Sequence, residues 1–223
     1  IIDRVSQRRE FAVGCAKAEA GGLTDADIVG DSKNYFDDLA WNAAPAKGAV
    51  TRIETLKAYN AGQPSYVVAE RFGYDSYGRE RESWDIRGAK TTTAYTPASG
   101  GPLTASTVTN HLGWVEAAVL EPAWGLPLSV TDANGRKTTM KYDGLGRLTS
   151  QWLAGRDPSQ PANIVYEYLV RNNAPTAVVT KRLNPAGGYI TSYTLYDGLT
   201  RERQTQDVDR AGGTGAVVTD TFY

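Results

Sequence analysis

The sequence predicts an all-β fold made of antiparallel hairpins that form a curved or spiral sheet. Leu, Ile, Val and Phe together make up only 43 of the 223 residues, which is little for a thick aliphatic core. Tyr outnumbers Phe thirteen to four, so strand-favouring side chains with polar ends replace the missing aliphatic residues. A turn motif also recurs at intervals that suit short strands. Together these observations disfavour a helical bundle.

The charge balance restricts the partners that the chain is expected to have. The 24 Lys and Arg residues and 25 Asp and Glu residues give a formal net charge of −1, without a dense basic run. Nucleic-acid binding is therefore not expected, because it depends on clustered phosphate contacts. No apolar stretch approaches the roughly 18 residues of a membrane-spanning segment. Neither end of the chain has the features of a natural terminus, so we expect a fragment of a longer protein.

The first 34 residues form a poorly defined lead-in. Residues 11–20 have the composition of a short helix, although no residue caps it well. Cys15 is the only cysteine, which excludes an intrachain disulfide and favours a small buried filler. His111 is the only histidine and lies in a turn-like segment. Asp37 follows an aromatic residue and is interpreted as part of a degenerate copy of the turn motif found farther along the chain.

The motif Asp-x-x-Gly organises the chain from residue 74 onwards. Asp at the first position can accept hydrogen bonds from backbone N–H groups, and Gly is favoured at the fourth, so each copy predicts a type I turn. An aromatic residue precedes most copies, and a basic residue follows most of them. The residues of the motif are Tyr74, Asp75, Gly78, Arg79, Trp84, Asp85, Gly88, Asp132, Gly135, Arg136, Tyr142, Asp143, Gly146, Arg147, Tyr196, Asp197 and Arg201. Asn110 and Asn184 begin close variants, and Thr200 replaces the Gly of the last copy.

The spacing of the turns predicts a meander of short strands. Asp75 and Asp85 are ten residues apart, and Asp132 and Asp143 are eleven apart, which leaves strands of ordinary length between them. Prolines within residues 96–128 predict edge strands and loops there. Strands are predicted at residues 136–142, 147–153, 164–170, 177–183 and 215–223, and the clearest repeats at 74–95, 131–153 and 184–203. No linker interrupts the pattern, which predicts one continuous array over residues 1–223.

The segment from Tyr142 to Leu148, with the sequence Tyr-Asp-Gly-Leu-Gly-Arg-Leu, resembles the signature of YD repeats, also called RHS repeats. Weaker copies extend the resemblance over residues 35–223. In this family, which includes bacterial polymorphic toxins, insecticidal toxin-complex proteins, wall-associated proteins and teneurins, repeated hairpins form a spiralling sheet that closes into a hollow shell. The resemblance implies a non-catalytic shell segment of a secreted or cell-surface protein. Its implied partners are the rest of the shell and an enclosed C-terminal effector.

The same resemblance bears on catalysis. RHS toxins carry a self-cleaving segment after their repeats, and this chain has no match to it. No catalytic residue is therefore carried over, no cofactor or metal is expected, and the aspartates of the motif are interpreted as turn formers. Arg and Asp side chains near the turns are expected to pair across neighbouring strands, which contributes little at exposed sites.

Two alternatives remain open beside the shell segment. Strand aromatics could stack on sugar rings, which would make the chain a binding module for carbohydrates or a surface protein, and Trp84 and Trp152 are the first candidates. Contact with neighbouring copies is a further expectation for such a surface. An enzyme would need a deep pocket that converges on His111 or on a pair of carboxylates.

Three weaker motifs are interpreted as loops. Asp207, Asp209 and Gly212 fit positions one, three and six of a calcium loop, but Ala211 and Val218 stand where ligands are required. Asp25 and Asp27 form a second acidic pair of the same kind. Residues 212–215 lack the Lys and the helix of a phosphate cradle.

Overall fold

The computed structural model describes residues 4–60, 62–208 and 215–223. Within these ranges the chain forms sixteen β-strands and one six-residue helix, α1 (Cys15–Ala20), so the all-β prediction is confirmed. The chain divides into two compact units. The first comprises Ile1–Gly100 and Thr107–Val115, and the second comprises Gly101–Ser106 and Glu116–Tyr223. The continuous array over all residues stays a prediction.

The first unit is an antiparallel meander. Its strands are β1 (Gln7–Phe11), β2 (Ile28–Phe36), β3 (Val50–Asn60), β4 (Gln63–Tyr74), β5 (Glu80–Trp84) and β6 (Lys90–Thr96). Each strand pairs with the next in the sequence. The lead-in holds β1, α1 and a short 3-10 turn (Asp25–Asp27). The helix begins at Cys15 rather than at residue 11, because Phe11 pairs with Ile28 as the last residue of β1.

The second unit continues the same connectivity. β7 (Ala105–Thr109) contributes residues to both units. The remaining strands are β8 (Val115–Glu121), β9 (Leu126–Thr131), β10 (Lys137–Tyr142), β11 (Leu148–Trp152), β12 (Ile164–Leu169), β13 (Thr176–Leu183), β14 (Tyr189–Tyr196), β15 (Glu202–Val208) and β16 (Ala216–Asp220). From β8 to β16, each strand pairs antiparallel with the next.

The proline-containing segment corrects one expectation. β9 contains Pro127 and is paired on both sides, by β8 and β10, so it is not the edge strand that the prolines predicted. Pro127 lies opposite Leu120, where the register of the β8–β9 pair shifts. An irregularity of this kind tolerates a residue without a backbone N–H donor.

The core is thin, as the composition indicated. The buried apolar residues in the described part of the chain are Phe36, Trp152, Ala162, Ala177 and Val179. Most other strand residues are half-buried or exposed. A single hairpin of this kind buries too little apolar surface to be stable alone, so each hairpin depends on its neighbours.

Candidate functional site

The repeated turn is the feature that the sequence singled out, and the turn that begins at Asp143 shows its geometry. One carboxylate oxygen of Asp143 accepts hydrogen bonds from the backbone N–H groups of Leu145 at 2.9 Å and Arg147 at 3.0 Å. The Gly146 N–H donates to the Asp143 carbonyl at 3.0 Å, and the Asp143 N–H donates to the Arg147 carbonyl at 2.9 Å. Gly146 has φ +75°, so a type I turn is followed by a left-handed residue that forms a bulge.

The same backbone and side-chain hydrogen bonds occur in the other turns of the motif. The side-chain oxygen of the first residue accepts N–H groups from the residues two and four positions later in the turns that begin at Asp75, Asp85, Asn110, Asp132, Asn184 and Asp197. The left-handed position is Gly in every case except Thr200, which has φ +59°. The Asp and Asn side chains therefore satisfy the N–H groups of their own turns.

The ion pairs of the motif lie inside single turns, which corrects the expectation that they cross between neighbouring strands. Arg147 and Asp143 approach to 2.7 Å, and Arg201 and Asp197 to 2.8 Å. In the first unit, the Arg79–Asp75 pair measures 2.6 Å. Arg136 is exposed and donates only its backbone N–H to Asp132 within the described residues.

Whether a turn of the second unit has an Asp–Arg ion pair depends on the end of the sheet at which it lies. Because strand direction alternates, successive turns lie at alternating ends of the sheet. In the second unit we call the end formed by residues 121–125, 143–146, 170–175 and 197–200 the tyrosine rim, and the end with residues 132–135 and 184–187 the opposite rim. Both Asp–Arg ion pairs of this unit's repeat turns lie on the tyrosine rim.

Each of these arginines also contacts a tyrosine, which for Arg147 lies on the adjacent strand β12 and for Arg201 lies just after β16. The Arg147 guanidinium lies 4.4 Å from the centre of the Tyr168 ring, and the Tyr168 hydroxyl donates to the Leu148 carbonyl at 2.9 Å. Burial raises the pKa of the Tyr168 phenol. The backbone N–H and then the guanidinium of Arg147 hold the pKa of Asp143 below its ordinary value. We call such an Asp–Arg–Tyr set a turn clasp.

Two further turn clasps have the same arrangement. Tyr95 lies 4.8 Å from the Arg79 guanidinium and donates its hydroxyl to the Glu80 carbonyl at 2.8 Å. Tyr223 lies 4.6 Å from the Arg201 guanidinium and donates to the Glu202 carbonyl at 2.9 Å. In each clasp the guanidinium makes a cation–π contact with the tyrosine ring. The tyrosine hydroxyl donates a hydrogen bond to the backbone carbonyl of the residue that follows the arginine. A turn is thereby fastened to the neighbouring strand.

The degenerate copy at Asp37 is an expanded version of the turn. Its carboxylate accepts backbone N–H groups from Lys47, Gly48 and Ala49, and its own N–H donates to the Ala49 carbonyl at 2.9 Å. Gly48 has φ +75°, as the motif glycine does. The Tyr74 hydroxyl donates to the Val50 carbonyl at 2.8 Å. Sequence reasoning missed the second half of this turn because nine residues separate Asp38 from Gly48.

The two tryptophans considered as sugar platforms have different environments. Trp152 is only 6% exposed, and its indole N–H donates to the Gln160 carbonyl at 2.8 Å. A ring buried in this way does not offer a face to a sugar, so Trp152 is withdrawn as a candidate. Trp84 is half-buried, with the Lys90 ammonium 5.2 Å from its ring. Its use in glycan binding stays a prediction.

The residues considered for catalysis or metal binding do not all lie together, because Cys15 and Asp27 are absent from the recess that His111 lines. His111 is exposed and lines a shallow recess of about 250 Å³ with Glu70 and Asp85. Cys15 is exposed rather than buried, because α1 buries none of its residues. Asp27 accepts hydrogen bonds from Thr24 and from Lys17, which occupies its carboxylate with protein donors.

The described residues hold no group of three or more His, Cys, Asp or Glu side chains placed to bind a metal ion. Asp209 and Gly212 of the calcium motif, and residues 212–214 of the glycine-rich segment, lie outside the described residues. None of the described helices combines the length and apolar character that crossing a bilayer requires.

Comparison with known families identifies the repeat. Residues 122–151, which include the Asp143 turn and most of β9 to β11, match the model of the RHS Repeat family. Residues 122–151 are thus similar to an RHS repeat. The resemblance drawn from the Tyr-Asp-x-x-Gly-Arg motif is thereby confirmed. No curated protein matches the chain.

Solved structures share the fold of this chain. The crystal structure of TcdB2-TccC3 has a TM-score of 0.63 at 12% sequence identity and covers 87% of this chain. A second crystal structure, TcdB2-TccC3 without its hypervariable C-terminal region, has a TM-score of 0.62 at 11% identity, also over 87% of this chain. This chain spans 13% and 16% of the length of those two chains. At these identities the likeness establishes the fold.

Proposed function

We propose that this chain is a non-catalytic wall segment of a longer RHS/YD-repeat protein, in which the hairpin array encloses or displays a C-terminal effector. The turn clasp carries this proposal. Three clasps fasten turns to neighbouring segments of the chain with one geometry, although few of the described residues are buried. Such a sheet gains its stability from contacts between neighbouring hairpins that are repeated along its length rather than from a central core. An extended wall needs that kind of stability.

The proposed effector and location rest on analogy. One of the structures with this fold is TcdB2-TccC3 without its hypervariable C-terminal region, so TcdB2-TccC3 has such a region. By analogy, we propose that a variable C-terminal segment also belongs to the protein that contains this chain. Secretion or display at the cell surface follows from the same family resemblance.

Limited proteolysis of the full-length parent protein tests the enclosure. We expect the segment that follows the repeats to resist a protease that digests the same segment when it is expressed alone. The double variant Asp143→Ala/Arg147→Ala removes one clasp and should make the segment more accessible, whereas Arg136→Ala should leave its protection unchanged. Equal digestion of the segment in the intact parent and alone would refute enclosure.

A further inference from the structure

The tyrosine rim of the second unit carries a row of exposed apolar side chains. Each of its four turns contributes one, and their exposed fractions are 56% for Trp124, 67% for Leu145, 71% for Val170 and 72% for Leu199. In the three turns other than the one with Val170, the exposed residue directly precedes the left-handed position, which is Gly125, Gly146 or Thr200. Leu145 and Leu199 hold the same position of the repeated motif, whereas Trp124 and Val170 lie in turns of other sequence that reach the same rim.

The opposite rim of the same unit is different. The position that precedes the left-handed glycine holds Asn134 in one turn and Ala186 in the other. Leu153, in the loop that joins β11 to β12, is 42% exposed and is the large apolar residue of that loop. An apolar row with one large side chain in every turn is thus a property of the tyrosine rim.

The side chain of Trp124, one member of the row, packs against the neighbouring turn at Gly146. A Cβ atom placed on Gly146 would lie 3.1 Å from Cδ2 and 3.4 Å from Cε3 of Trp124, so the indole lies against the backbone of the next turn. More than half of Trp124 nevertheless stays exposed. The ring is held in place by the rim and still presents apolar surface outward.

The period of the row indicates what can cover it. Successive turns of one rim are two strands apart, which corresponds to roughly 9.5 Å in a paired sheet. A surface that buries all four side chains together must present apolar groups with the same period. A second copy of the same rim has that period by construction, and a two-fold axis would place Trp124 opposite Leu199 and Leu145 opposite Val170.

The charges of the motif turns permit the approach of a second copy, and the apolar area sets the expected strength of the contact. The carboxylates of Asp143 and Asp197 form ion pairs with Arg147 and Arg201 of the same turns. When two rims face each other, these turns therefore do not place unpaired charges of the same sign side by side. Four such side chains expose apolar area of a few hundred Å², which is less than the roughly 800 Å² per partner of a standard interface. The contact is therefore expected to be weak and reversible.

We propose that the tyrosine rim of the second unit is an interface for the same rim of a second copy of this chain. The row defined by Trp124, Leu145, Val170 and Leu199 packs against its two-fold-related counterpart. This interface is separate from the proposed enclosure of an effector, since it requires only this chain.

Sedimentation velocity of the chain over a range of concentrations tests the interface. We expect reversible dimerisation of the wild-type chain and a dissociation constant at least ten-fold higher for Leu145→Lys/Leu199→Lys. Leu112→Lys is the matched control, because Leu112 is 58% exposed and precedes the left-handed Gly113 of a motif turn outside this rim. Circular dichroism verifies that each variant is folded. A wild-type chain that stays monomeric up to high micromolar concentration, or equal dissociation of the control, would overturn the proposal.

Disulfide trapping tests the two-fold register independently. In a Cys15→Ser background, a mixture of the single variants Leu145→Cys and Val170→Cys should form the mixed disulfide in preference to either homodimer. Preferential formation of homodimers by either variant alone would contradict the two-fold pairing and overturn the proposed arrangement.

Discussion

The guanidinium of Arg147 lies between the carboxylate of Asp143 in its own turn and the ring of Tyr168 on the adjacent strand, 4.4 Å from the ring centre. The arginine thus joins a local turn to a strand that lies about twenty residues farther along the chain. Tyr168 completes the link through its hydroxyl, which donates to Leu148. This relationship accounts for the arginine that directly follows Gly146, and the same contacts occur at Arg79 and Arg201.

Removal of the arginine should destabilise the sheet. We expect Arg147→Ala to lower the free energy of unfolding by about 1–2 kcal/mol, because it loses a cation–π contact and a partly exposed ion pair. Arg136→Ala is the control, since Arg136 follows the same motif without contacting a carboxylate through its side chain in the described residues. Its effect should stay within about 0.5 kcal/mol. Urea unfolding followed by tryptophan fluorescence measures both, and equal effects would exclude a special role for Arg147.

Two motif glycines should differ in their tolerance of alanine. Gly135 and Gly146 both have φ +75°, so either substitution strains the backbone by about 1 kcal/mol. A Cβ on Gly135 would meet no atom within 4 Å, whereas one on Gly146 would meet Trp124 at 3.1 Å. We therefore expect Gly146→Ala to cost about 1 kcal/mol more than Gly135→Ala in chemical denaturation. The excess should disappear in a Trp124→Ala background, and its persistence there would contradict the packing explanation.

Thr200 should be a site where glycine stabilises the protein. This β-branched residue has φ +59° at the position that glycine occupies in the other motif turns. Relief of the left-handed strain should outweigh the entropy cost of glycine and the loss of the local hydrogen bond to Leu199, so Thr200→Gly is expected to gain about 0.5 kcal/mol. Thr194→Gly, within β14, should instead lose about 1 kcal/mol. Thermal unfolding of both variants compares the two substitutions. Destabilisation by Thr200→Gly would show that the backbone of Thr200 is not strained.

Acid should destabilise the first unit through Asp27. The Thr24 backbone N–H and the Lys17 ammonium lower the pKa of Asp27 from 3.8 to about 2. Because the folded pKa lies below the unfolded one, the stabilisation is complete above about pH 4 and is lost as the pH falls towards 2. Asp27→Asn should flatten that part of the pH profile, measured as the urea midpoint between pH 2 and pH 7. Glu116→Gln, at an exposed strand position, should leave the profile as it is in the wild type.

The sequence predicted the later hairpins well because their turns are defined locally. The strand predicted at residues 136–142 is Lys137–Tyr142, and the one predicted at 164–170 is Ile164–Leu169. By contrast, the long strands β3 and β4 were not predicted, since no Asp-x-x-Gly copy preceded by an aromatic residue occurs before Tyr74. The turn at Asp37 escaped detection because an insertion separates its aspartate from its glycine.

The sequence by itself determined where the turns lie, which residues satisfy their backbone N–H groups, and that an RHS-type sheet follows from them. These features depend on five consecutive residues, so a linear pattern reveals them. Only the tertiary structure decided that Arg147 pairs within its turn, that Tyr168 receives its guanidinium, and that Trp152 is buried while Leu145 and Leu199 are exposed. Those outcomes depend on which strand lies beside which and on the end of the sheet that each turn reaches. Side chains brought together by strand pairing are far apart in sequence, so the physical reason for their contact is absent from any single segment.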